Sequence, residues 1–108
     1  MSKRRFKVEG IIERFKQALN DVGIRPAKII LYGSYAKGNP RKYSDIDLIV
    51  ISEDFEGMNL RERLEILGLA AGKIFEPIEA LGYTSKEIES GIEGNFVKEI
   101  LKSVSKVY

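Results

Sequence analysis

Two aspartates, Asp45 and Asp47, stand one residue apart, and Asp47 directly precedes the apolar run Leu48-Ile49-Val50-Ile51. In a strand, residues two apart project to the same side. Paired carboxylates raise each other's pKa and cost stability unless a cation lies between them. Upstream, Gly33-Ser34 follows a second apolar run, Ile29-Ile30-Leu31. A glycine directly after a strand lets a ligand approach the backbone, and a following helical turn aims N–H groups at an anion. The Ser34 hydroxyl adds a donor. Ten residues separate Ser34 from Asp45, enough for one helical turn and a return loop. Lys37, Arg41 and Lys42 lie in that connection and can offset phosphate charge. The pattern therefore suits a phosphate grip and a divalent-metal site at neighbouring strand ends.

Composition narrows the chemistry. The chain has 108 residues with no cysteine and no histidine, which removes disulfides, thiolate zinc sites, cysteine nucleophiles and histidine bases. A metal must be held by oxygen, which favours Mg²⁺, Mn²⁺ or Ca²⁺. The net charge of +2 announces no nucleic-acid partner, although Lys3, Arg4, Arg5 and Lys7 cluster near the start. No apolar run reaches the length of a membrane span and no signal-peptide pattern opens the chain. A cytoplasmic protein is expected, with residues 1–108 as a single domain.

The elements that must position these residues follow from periodicity. Val8, Ile11, Ile12, Phe15, Ala18, Leu19 and Val22 recur at helical steps, predicting a helix over about residues 5–22, stopped by Gly23. Lys28 to Tyr32 reads as a buried strand, and Ser34 as the cap of a turn over Tyr35-Ala36-Lys37. Gly38-Asn39-Pro40 forces a loop. Ile46 to Ser52 is a second strand, apolar enough to be covered on both faces. Asn59 with Glu62 and Thr84 with Glu87 are capping-box patterns. The first opens a helix to about residue 74 with Leu60, Leu64, Leu67, Ala71 and Ile74 as its apolar face. The second opens a short helix ending near Ser90. Between them, Glu76 to Tyr83 reads as a third strand. Phe96, Val97, Ile100, Leu101 and Val104 mark a last helix, and Val107-Tyr108 a short edge strand. Such an order suits an α+β (mixed α/β) fold, a small mixed β-sheet with helices packed on one face.

Gly33-Ser34, ten residues, then Asp45-Ile46-Asp47, with a strand on each side, resembles the signature of the DNA polymerase β-like nucleotidyltransferase superfamily. The wording Gly33-Ser34-Tyr35-Ala36-Lys37-Gly38 followed by Ser44-Asp45-Ile46-Asp47-Leu48 is similar to its minimal nucleotidyltransferase branch. The resemblance implies a nucleotidyltransferase-like palm and transfer of a nucleoside monophosphate, AMP foremost, from an NTP to an acceptor. It implies that Asp45 and Asp47 hold two Mg²⁺ (or Mn²⁺) ions with a third carboxylate. Glu79 is the candidate for that role and Glu76 the fallback, where the family more often has aspartate. Gly33 and Ser34, with Lys37, Arg41 and Lys42, would bind the triphosphate. Small members of this kind pair with a helical HEPN protein in toxin–antitoxin systems. A homodimer completing the site is a further expectation. The competing reading is a binding module, an antitoxin that acts by covering its partner with little or no catalysis.

Overall fold

The computed structural model describes residues 3–38, 45–103 and 105–108. Helix α1 (Lys3–Asp21) leads into strand β1 (Lys28–Tyr32), a single helical turn α2 (Gly33–Ala36) and strand β2 (Ile46–Ile51). Helix α3 (Leu60–Lys73), strand β3 (Ile78–Tyr83), helices α4 (Ser85–Ser90) and α5 (Ile92–Lys102) and the short strand β4 (Lys106–Val107) follow. The sheet order is β3-β2-β1-β4. β2 runs antiparallel to β1, with Tyr32 opposite Asp47, and parallel to β3, with Asp47 opposite Glu79. β4 is antiparallel to β1, and Tyr108 extends that pairing through two hydrogen bonds with Ile29. The mixed α+β class expected from the sequence is the class observed.

The expectation of helices on one face is corrected. β2 alternates between two cores. Ile46, Leu48 and Val50 pack with Ile12, Phe15 and Leu19 of α1 and Leu67, Ala70 and Ala71 of α3. Ile49 and Ile51, with Ile30 of β1, pack against Val97 and Ile100 of α5. The reason lies in the strands. Uninterrupted apolar runs leave no polar side for water, and each exposed side chain of this size would forfeit about 1.5–3 kcal/mol of burial. The covering of β2 on both faces, read from its sequence, is what the structure has.

Several local signals act as read. Gly23, at φ +90, ends α1, with Ile24 N–H donating to the Leu19 carbonyl and Gly23 N–H to Asn20, a Schellman arrangement. Both capping boxes form, Asn59 with Glu62 on α3 and Thr84 with Glu87 on α4. β3 starts at Ile78 rather than Glu76, because the Glu76 carbonyl turns back to accept from Ile78 N–H while the Pro77 carbonyl accepts from Ile46 N–H. Leu60 and Leu64, expected in the core, are exposed. The expected Val104 position lies outside the described residues.

One buried cation ties these elements together. Arg63 donates from Nε to the Met58 carbonyl, from its two terminal nitrogens to the Gly82 and Phe55 carbonyls, and to both oxygens of Glu87 at 2.6 and 2.8 Å. All five guanidinium N–H groups are thereby engaged.

Candidate active site

The site begins where β1 must end. Gly33 has φ +74, a region that favours glycine. A Cβ placed there would also overlap the Asp47 carboxylate. Glycine is thus required both by backbone conformation and by the close approach of an acidic side chain. The chain then turns at once into α2, where Lys37 N–H donates to the Gly33 carbonyl. Ser34, expected as the cap, is instead the second residue of the turn. Tyr32 occupies the cap position and no side chain caps it. The glycine's left-handed φ starts the turn one residue earlier than the Ser34 signal suggests.

The antiparallel and parallel ladders bring three residues side by side: Tyr32, Asp47 and Glu79. Neighbours directly opposite in a sheet share a face, and this is the face that α5 covers further along. Asp45, two residues before Asp47, is exposed, as is Glu79, while Asp47 is half-buried. The Asp47 carboxyl is pushed above its ordinary value, by burial first and then by the negative charges of Glu79 and Asp45. The Tyr32 phenol is pushed up as well, by burial and then by Asp47 and Glu79. Burial leads in both shifts, and the neighbouring negative charges act in the same direction. Glu76, half-buried at the bend before Pro77, is not among the charges that raise Asp47; Glu79 is the glutamate the fold sets beside it.

The donors are all carboxylate oxygens, the set a hard divalent cation prefers. A cation here would relieve the repulsion that raises Asp47, so the residues fit the metal by chemistry. Among the described residues, no three acidic side chains converge as a ready-made cage.

Lys37 is exposed just after α2. Arg41, Lys42 and Tyr43 lie outside the described residues. Tyr35 packs on the α1 side of the sheet and Tyr32 on the α5 side. Sequence reasoning missed Phe96. Taken as a core residue of the last helix, it is 44% exposed and meets the Tyr32 ring edge-on at 6.5 Å. Its helical spacing with Val97 and Ile100 gives no sign of that pairing, which depends on where α5 crosses the sheet.

This fold and this carboxylate cluster together define a small palm-like domain. Residues 8–107 match the family described as nucleotidyltransferase domain, and the chain belongs to that family. No curated protein matches the sequence. Among solved structures, a putative nucleotidyltransferase is 27% identical, with 94% of this chain and 97% of that chain covered at a TM-score of 0.53. A toxin–antitoxin structure with AMP-PNP is 19% identical, covering 88% of this chain and 69% of that chain at a TM-score of 0.63. A mutant of the toxin–antitoxin pair MntA–HpeT is 17% identical over the same shares, at a TM-score of 0.61. No helix among the described residues is long and apolar enough to cross a membrane.

Proposed function

We propose that the chain is a metal-dependent enzyme that transfers a nucleoside monophosphate, AMP from ATP in the first instance, to a hydroxyl of a helical, HEPN-type protein partner. The observation that carries the reading is the placement of Asp47 between Gly33 and Glu79, with Asp45 two residues away. In the transfer, the acceptor oxygen bonds to the α-phosphorus, the bond to the bridging oxygen breaks, and pyrophosphate leaves. Glu79 takes the acceptor's proton. Asp45, Asp47 and Glu79 would hold the Mg²⁺ or Mn²⁺ ions, which supply charge neutralisation and lower the pKa of the attacking hydroxyl. Gly33 and Ser34 bind the triphosphate, and Lys37, Arg41 and Lys42 offset its charge. The likeness to a toxin–antitoxin structure with AMP-PNP supports both the nucleotide and the protein acceptor. We place the enzyme in the cytoplasm as part of this reading.

A second reading has one observation in its favour: the acidic side chains do not form a ready cage among the described residues. In that reading the chain neutralises a partner by binding it. The deciding experiment incubates the protein with each α-labelled NTP, Mg²⁺ or Mn²⁺, and the protein encoded beside it. Label on the acceptor that vanishes with Asp45→Asn/Asp47→Asn supports transfer. Unlabelled acceptor, with neutralisation intact in the double variant, overturns transfer in favour of binding.

A further inference from the structure

The aromatic pair on the carboxylate face has no part in the transfer as proposed. Tyr32 stands opposite Asp47 in the ladder, and its ring meets Phe96 of α5 edge-on, with centroids 6.5 Å apart and planes at 89°. After burial, the charges of Asp47 and Glu79 raise the Tyr32 phenol, so its ring lies within their field. Val97 and Ile100 close the core on this face. Phe96, one residue before Val97, is turned ~100° away around the helix and stays 44% exposed. An edge-to-face partner covers at most one face of a ring, so Tyr32 leaves at least one face of Phe96 for another ring. The neighbouring α5 residues Asn95, Lys98 and Glu99 are polar and exposed. Around Phe96 the described residues therefore offer one flat ring in a polar setting, not a broad apolar patch.

We infer that Phe96 is the platform on which the base of the nucleoside triphosphate stacks, with Tyr32 holding that ring at its angle. The inference rests on the nucleotide-transfer reading above and adds to it the residue that positions the base. Asp47 and Phe96 share Tyr32 as a neighbour, and in a nucleotide a single ribose separates the α-phosphate from the base. An α-phosphate at the carboxylates therefore brings the base within reach of the Phe96 ring. Tyr32 also directly precedes Gly33, so the strand end that meets the phosphates carries the ring that sets the platform. Every base has a flat face, and stacking on an aromatic side chain holds it whatever its identity. Phe96 brings no hydrogen-bonding group, so it adds affinity for a base without choosing among bases.

Calorimetric titration in Mg²⁺ with ATP and, separately, with inorganic tripolyphosphate isolates what the base adds. Phe96→Ala should weaken ATP binding by ~10-fold and leave tripolyphosphate binding unmoved. Phe96→Leu, which fills the space without a flat ring, should lose most of the same affinity, and Phe96→Trp should keep it. Tripolyphosphate binding reports in each variant that the fold and the metal site are intact. ATP affinity that survives both Phe96→Ala and Phe96→Leu overturns the inference and leaves the transfer reading standing. So does a loss shared by tripolyphosphate, which would make Phe96 a prop for the fold. A parent that binds neither ligand in a metal-dependent way overturns the transfer reading itself, and the inference with it.

Discussion

The Asp47 carboxyl is pushed up by burial, by Glu79 and by Asp45, in that order, so its charged form opposes folding. The cost is full above its folded pKa and disappears as pH falls through that value, since the folded state then takes up the proton more readily than the unfolded chain. Asp47→Asn should therefore raise the Tm at neutral pH by ~2–5 °C, with the gain over the parent shrinking toward acid. On the proposed reaction, in which Asp47 would hold the metal, the same change should reduce transfer by ~10²-fold or more. Thermal melts across pH, run beside the labelling assay, check both. Gly33→Ala acts differently. It forces a side chain into a left-handed backbone and against Asp47, costing about 1–3 kcal/mol. Urea unfolding should show that loss, and labelling should fall with it. A Gly33→Ala protein of unchanged stability would contradict the packing described. The Asp pair and the glycine were legible in the sequence because strand parity and turn chemistry are local. For a third carboxylate the sequence offers Glu79 with Glu76 as fallback, and the parallel register that sets Glu79 beside Asp47 is a tertiary fact.

At the scale of elements, the capping boxes of α3 and α4 were readable because they rest on residues three apart. What joins those helices was not. Arg63 lies 24 positions from Glu87, and its helical neighbours mark it only as a charge in an amphipathic stretch. Folded, it is 8% exposed and bonds the carbonyls of Met58, Phe55 and Gly82 besides Glu87. Arg63→Ala removes every donor and leaves those acceptors short of partners, so urea unfolding should show a loss of roughly 3–5 kcal/mol. Arg63→Lys should recover little, as an ammonium lacks the planar fork that meets Glu87 at two points. The Glu87 carboxyl is held below its usual value, first by Arg63. Its contribution is present above the unfolded glutamate pKa and lost as pH falls through the folded value. The stability difference between parent and Glu87→Gln should accordingly narrow in acid. Leu60 and Leu64 are the opposite case, apolar spacing that promised burial and did not get it. Periodicity marks an apolar stripe without saying whether this chain or another covers it.

Across the whole molecule, apolar periodicity specifies a mixed sheet and its helices but not that the last helix covers the second face. Yet Ile30, Ile49 and Ile51 face away from α1 and α3, and α5 covers them. The consequence is functional. α5 sets Phe96 against Tyr32, the β1 residue that stands opposite Asp47. Burial is the first cause of the raised Asp47 and Tyr32 values, and the neighbouring carboxylates add to it. The carboxylate cluster predicts a link between metal and global stability. An ion that binds the folded cluster, and not the unfolded chain, stabilises the whole domain by RT ln(1 + [L]/Kd), about 2.7 kcal/mol at a hundredfold excess over Kd. Raising Mg²⁺ or Mn²⁺ at constant ionic strength should therefore raise the Tm progressively. The rise should be absent in Asp45→Asn/Asp47→Asn, whose Tm without metal should already exceed that of the parent because the repulsion is gone. Matched Tm titrations of the two proteins separate this from a general salt effect, which would move both alike. A parent Tm that does not respond to either metal would mean that the carboxylates bear their repulsion without a cation.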